Sequence, residues 1–219
     1  MNTLNLGQFT LLALPFVLIP SAAFVFSTLA KRLGKEQGYL LGFIFYWTIW
    51  CLIVPLVYLG KDGFLSLFMD KTPLLSGPNW LAAVLWVVIT LVSLVMYGKN
   101  FVQAPLALIL VAIPVATING LCEELLWRGL YVRIFPDNFW LAVIFPAIGF
   151  AIWHLVPLQV FSTGSKTTFV LSTCFLGLAY GFIAYQTGSA KWTAISHSIN
   201  GILALGGMIA PSILTLFRR

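Results

Sequence analysis

The chain has 219 residues, of which 60% are hydrophobic and only 8% are charged, and its formal net charge is +6 at pH 7. This small number of charges cannot cover the surface of a soluble domain of this length. The composition therefore indicates a polytopic membrane protein. The 12 Lys and Arg residues lie mostly in short loops and form no dense basic cluster. This pattern suits an anionic membrane surface and argues against nucleic-acid binding.

Apolar segments long enough to cross about 30 Å of hydrocarbon recur along the chain. They predict an all-α polytopic membrane helix bundle that forms one integral membrane domain over residues 1–219. The predicted spans lie at about residues 8–30, 38–60, 79–97, 104–135, 139–158, 168–187 and 192–217.

Two of these spans, and one segment between spans, carry further expectations. No basic region precedes the first span, and it is longer than a signal-peptide core, so we expect a retained helix. Residues 62–78 are too short and too polar to span, which favours an interfacial helix. The fourth span would be about 45 Å long as one helix. It is therefore expected to tilt or to end in a water-filled cavity, with Pro114 and Gly120 as possible bending points.

Three ionisable residues lie inside the fourth span: Glu123, Glu124 and Arg128. A charged side chain at the centre of a bilayer costs about 3 kcal/mol or more, so such residues usually have a function. Glu124 and Arg128 are four residues apart and can neutralise each other on one helical face. Glu123 has no such partner, because Trp127 stands four residues after it.

The remaining polar candidates lie on two later spans. His154 is on the fifth span, and His197 and Asn200 are three residues apart on the seventh, where they share a helical face. These two histidines are the only ones in the chain. The Glu pair, both histidines and the amide can therefore converge from three helices. Trp127, Trp153 and Trp192 are expected to be packing or interface anchors.

This set of side chains is what a water-activating hydrolase needs. A carboxylate in a low-dielectric pocket can take a proton from water with a nearby imidazole, and a second imidazole with an amide can stabilise an oxyanion. The same groups could instead ligate a divalent metal such as zinc, and their spacing does not decide between the two. A proton-coupled transporter would use Glu123 and His154 as a relay, but its usual two similar halves are not evident.

The motifs resemble those of a known family. Glu123-Glu124-Leu-Leu-Trp-Arg128 matches an EExxxR motif, and Phe150-Ala-Ile-Trp-His154 matches an FxxxH motif. These two motifs, followed by the stretch from Gly177 to His197, occur in an order that resembles the CPBP family of CAAX-prenyl proteases and bacteriocin-processing or immunity proteins. The resemblance covers about residues 113–205. It implies a catalytic core at about 104–217, with residues 1–100 as additional amino-terminal helices.

The resemblance implies an intramembrane endopeptidase of roughly eight helices that cleaves a membrane-associated protein or peptide. By transfer, Glu123 would activate water with His154 as its partner. His197 and Asn200 would bind the oxyanion. No cofactor is expected on this interpretation. A metal-dependent version would use Glu123, His154 and His197 as ligands.

By the same transfer, Glu124 and Arg128 would orient and neutralise the site. One position departs from the family pattern: Asn is common four residues after the last His, but Gly201 stands there, and Asn200 is the nearest amide. This departure mildly favours the alternative of a non-proteolytic membrane scaffold or immunity protein. The expected location is a bacterial inner membrane.

Overall fold

The computed structural model describes residues 4–162 and 164–217. All regular structure in these residues is helical, which confirms the predicted all-α bundle. The α-helices are α1 (Leu6–Leu33), α2 (Lys35–Phe45), α3 (Val54–Leu65), α4 (Trp80–Val102), α5 (Leu106–Glu124), α6 (Tyr131–Ile134), α7 (Phe145–Trp153), α8 (Lys166–Thr187), α9 (Lys191–Leu203) and α10 (Ile209–Phe217). Wider π-helical turns at Tyr46–Ile53, Leu125–Leu130 and Trp140–Ile144 join some of them without a loop.

Within the described residues, six helical stretches are long and apolar enough to cross a membrane. They match the first six predicted spans, and the protein is therefore an integral, multi-pass membrane protein. The stretches are Leu6–Leu33, Lys35–Phe68, Gly77–Val102, Leu106–Ile134, Trp140–Gln159 and Lys166–Thr187.

The seventh predicted span is not one continuous helix but two. α9 ends at Leu203 and α10 begins at Ile209. Between them Leu205, Gly206 and Gly207 have φ angles of 57°, 67° and 56°. These values belong to the left-handed region, which a right-handed helix cannot contain. An apolar run does not reveal such a break, because hydropathy is independent of the sign of φ.

The segment predicted as an interfacial helix, residues 62–78, is helical only in part. The second span bends at Gly60, where φ is 66°, and its last helical turn ends at Phe68. The following residues form turns rather than a helix until Gly77. The backbone N–H of Ala190 donates to the carbonyl of Leu67 at 2.8 Å, which ties this segment to the turn before α9.

The fourth span continues through Pro114 and Gly120, the two expected bending points. Its irregularity is the π-helical turn Leu125–Leu130, which begins directly after the Glu pair. Single π-helical turns inside α-helices are frequent at functional sites. Gly120 has a different role, because a Cβ added there would lie 2.7 Å from Oγ of Ser198 on α9. The missing side chain lets α5 and α9 pack closely.

Candidate active site

Glu123 and Glu124 are the last two residues of α5, and both are buried, with 2% and 0% of their surface exposed. Neighbouring helical residues point about 100° apart, so the two carboxylates face different surroundings. His197 of α9 contacts both. Its Nδ1 lies 2.9 Å from Oε1 of Glu124, and its Nε2 lies 3.5 Å from Oε2 of Glu123. The imidazole therefore connects the two carboxylates from the neighbouring helix.

Glu124 forms the ion pair that its spacing from Arg128 predicted. Nη1 of Arg128 donates to Oε1 of Glu124 at 3.0 Å, and both side chains are fully enclosed. The guanidinium also lies over the ring of Phe150, with 4.1 Å from Cζ to the ring centroid. Removing one partner of such a buried ion pair destabilises the folded protein, because the other charge is left uncompensated. Arg128, in the π-helical turn after α5, thereby ties Glu124 of α5 to α7, the helix of Phe150.

Glu123 has hydrogen-bond donors from two directions. Nε1 of Trp153 on α7 donates to Oε1 at 3.1 Å, and Nδ2 of Asn119 donates to Oε2 at 3.2 Å. Asn119 is one turn earlier on α5. Both oxygens of this buried carboxylate are therefore hydrogen-bonded, which compensates for much of its lost hydration.

His154 follows α7 directly, and its ring is held by its own helix. Its Nδ1 lies 2.7 Å from the carbonyl oxygen of Phe150. Because a carbonyl only accepts, Nδ1 carries a proton, and Nε2 is the acceptor of the neutral ring. The ring of Phe150 lies 4.5 Å from the ring of His154 and 6.2 Å from the ring of His197, measured between centroids. Phe150, the first residue of the FxxxH motif, therefore packs against both imidazoles.

Asn200 is held by a buried tyrosine. Its Nδ2 donates to Oη of Tyr180 on α8 at 2.7 Å, and that hydroxyl donates to Oγ of Ser196 at 3.2 Å. The ring of Tyr180 lies 5.8 Å from the ring of His197. Oδ1 of Asn200 is buried without a hydrogen-bond partner among the described residues. The structure thus brings Asn200 close to His197, with one amide proton already used by Tyr180.

Residues 102–203 match the family model described as "Rce1-like: Type II CAAX prenyl endopeptidase Rce1-like". The matched segment contains every predicted site residue and all three motif stretches. This match is to the CPBP family. The resemblance seen in the motifs is therefore confirmed, and the family is one of membrane proteases. Comparison of the whole chain with curated proteins and with solved structures finds no match.

The departure from the CPBP pattern at Gly201 has a packing explanation. A Cβ added at Gly201 would lie 2.9 Å from Cβ of Ala116 on α5, closer than real Cβ contacts. Together with Gly120 against Ser198, this places small residues at two points where α5 and α9 approach closely. The Asn common at this position in the family does not fit unless α5 and α9 move apart.

Sequence reasoning missed three residues of this candidate site. Asn119 precedes Glu123 by four residues, the same spacing that pairs Glu124 with Arg128, so the helical period could have found it. Trp153 was expected to be a packing anchor, yet its indole also donates to Glu123. Trp47 donates to Oδ1 of Asn119 at 2.9 Å. It lies outside the segment that matches the CPBP family, and no motif marks it.

The metal-dependent alternative requires Glu123, His154 and His197 to share one ion. Over residues 4–162 and 164–217, no group of three or more His, Cys, Asp or Glu side chains is arranged to hold a metal. The residues as arranged do not fit a three-ligand metal centre.

Proposed function

We propose that this protein is an intramembrane endopeptidase that hydrolyses a peptide bond of a membrane-associated protein or peptide by water activated at Glu123. The observation that carries the proposal is the buried contact between Nε2 of His197 and Oε2 of Glu123, at 3.5 Å. It joins the EExxxR motif to the last His of the family pattern inside an apolar bundle. A protease is also what the matched family is described as.

In the proposed reaction, Glu123 takes a proton from a water molecule while the water oxygen attacks the carbonyl carbon of the scissile bond. The new C–O bond produces a tetrahedral oxyanion. When this intermediate collapses, the C–N bond breaks and the proton passes to the leaving amine. The free Nε2 of His154 is suited to share that proton, because Nδ1 is occupied by the carbonyl of Phe150.

His197 is suited to stabilise the oxyanion. Its Nδ1 is held by Glu124, whose carboxylate is paired with Arg128 and acts as an acceptor. When the ring carries both protons, Nε2–H is left to donate to the oxyanion. The second amide proton of Asn200 would assist, although Tyr180 holds the first. Glu124 and Arg128 orient His197 and do not touch the substrate.

The proposed substrates are membrane-bound proteins or peptide precursors that reach the bundle from the bilayer. A farnesylated peptide ending in a CAAX sequence is the first to test, because the family description names that activity. We propose a bacterial inner membrane as the location. A peptide of the same sequence without the lipid shows whether the prenyl group is needed.

The proposal is tested in cells and with purified protein. Cells lacking the gene are complemented with the wild type, Glu123→Gln or Asp62→Asn, with expression checked, and new termini of membrane proteins are measured by mass spectrometry. Asp62 is an exposed carboxylate outside the site and gives a matched loss of charge. Purified protein in liposomes is assayed with both peptides.

Cleaved termini that are absent only with Glu123→Gln support the protease. Gly201 in place of the family Asn favours a second candidate, a scaffold or immunity protein without proteolysis. If all three forms complement equally and yield the same termini, that second function is correct.

A further inference from the structure

The carboxylate of Glu123 is held at both of its oxygens by side chains to which neither the motifs nor the family match assigns a role. Trp153 donates to Oε1 from α7, and Asn119 donates to Oε2 from α5. Two donors on different sides prevent the carboxylate from rotating about its last side-chain bond. A general base must present its lone pair to water within a narrow range of angles, so such fixation contributes directly to rate.

The orientation of Asn119 is dictated by its other neighbour. An indole nitrogen only donates, so the atom of Asn119 that lies 2.9 Å from Nε1 of Trp47 must be the amide oxygen. The amide nitrogen therefore faces Glu123. Without Trp47 the amide could turn over, and its oxygen would then oppose the carboxylate.

The orientation of Trp153 is fixed in a similar way. Its indole is fully buried and stacks on the ring of Tyr46, with 3.7 Å between centroids and 19° between planes. The hydroxyl of Tyr46 in turn accepts a hydrogen bond from Nε1 of Trp127 at 2.8 Å. The stack fixes the plane in which the N–H of Trp153 points to Glu123.

The two residues that orient these donors are neighbours in the sequence. Tyr46 and Trp47 begin the π-helical turn between α2 and α3. This turn lies outside residues 102–203, the segment that matches the family. Trp47 orients Asn119, and Tyr46 orients Trp153. The amino-terminal helices therefore contribute to the geometry of Glu123 itself.

We propose that Asn119 and Trp153 are positioning residues for the Glu123 carboxylate, and that Tyr46 and Trp47 complete the site by fixing these two donors. The inference rests on the proposed function for its effect on rate, but the contacts can be tested without any substrate. The amino-terminal helices are then part of the active site and cannot be exchanged for other apolar helices.

The first test observes the hydrogen bonds directly. Indole N–H signals of ¹⁵N-tryptophan-labelled protein in micelles are recorded by NMR and assigned with the variants Trp47→Phe, Trp153→Phe and Trp50→Phe. Glu123→Gln is expected to shift the signal of Trp153, and Asn119→Leu that of Trp47. The signal of Trp50 should stay in place, because its buried N–H has no partner among the described residues. Unmoved signals of Trp47 and Trp153 would overturn the inference.

The second test measures hydrolysis of the farnesylated CAAX peptide. Asn119→Leu and Trp153→Phe are expected to lower kcat by about tenfold to a hundredfold with little change in KM, because a misplaced base acts on rate rather than on binding. Trp50→Phe is the matched control from the same turn and should keep the full rate.

Trp47→Phe should lower kcat alone but add nothing in the Asn119→Leu background, since Trp47 acts through Asn119. Wild-type rates in Asn119→Leu and Trp153→Phe would reject the positioning role. If the wild type cleaves nothing, the proposed function fails on this peptide, and the NMR result alone decides the inference.

Discussion

His197 and Glu124 join α9 to α5 through one hydrogen bond, with 2.9 Å between Nδ1 and Oε1. Glu124 is paired with Arg128 and accepts, so Nδ1 is the protonated nitrogen of the ring. Nε2 is thereby directed to Glu123, at 3.5 Å. This one contact decides which atom of His197 faces the carboxylate that we propose as the base.

Breaking the ion pair on one side should destabilise the protein strongly. Glu124→Met is expected to lower the free energy of unfolding by about 3–5 kcal/mol, because the buried Arg128 is left without a counter-charge. Denaturant unfolding in micelles measures it. The double variant Glu124→Met with Arg128→Met removes both charges and should recover most of the stability, while hydrolysis stays low because Nδ1 of His197 has lost its acceptor. A double variant as unstable as the single one would contradict this account.

Adding a side chain at Gly201 should separate α5 from α9. Gly201→Ala is expected to cost about 1–3 kcal/mol, because its Cβ would overlap that of Ala116. Gly201→Asn restores the residue common in the family and should cost at least as much without raising activity. Ala116→Gly combined with Gly201→Ala should regain stability. Thermal unfolding in micelles measures each, with Gly77→Ala as the control, since a Cβ at Gly77 meets nothing within 4 Å.

The variant His197→Asn tests the roles of the two imidazole nitrogens separately. The amide of Asn can still donate near the position of Nδ1 to Glu124, so the fold should be retained. The Asn side chain has no atom at the position of Nε2 of His197. Hydrolysis of the farnesylated CAAX peptide is therefore expected to fall by about 10²- to 10³-fold, because the oxyanion donor is lost. Single-turnover rates and the melting temperature are measured together. Near-wild-type rates with an intact fold would remove His197 from the mechanism.

The metal-free proposal predicts that chelation has no effect. Hydrolysis should continue after treatment with 1,10-phenanthroline, and elemental analysis should find less than one zinc per chain in active protein. The reason is that no group of three or more His, Cys, Asp or Glu side chains among the described residues is arranged to hold a metal. If activity is lost on chelation and returns with added zinc, Glu123, His154 and His197 are metal ligands after all.

The amino-acid sequence by itself was sufficient for the first six spans and for the ion pair. Apolar runs of spanning length become helices because only a helix satisfies every backbone group inside lipid. Glu124 and Arg128 meet because four residues are about one helical turn, a purely local relation. Local motifs were also enough to recognise the family, because the groups that they bring together are close in sequence.

Only the tertiary structure decided which side chains surround Glu123. Trp153 and His197 reach it from other helices, and helix packing angles are not encoded in any local pattern. The break after Leu203 was equally invisible, because Leu205 is apolar whether its φ is negative or positive. Hydropathy and spacing specify which residues are buried and which share a helical face. The choice of partner across helices depends on close packing of small residues such as Ala116 and Gly201.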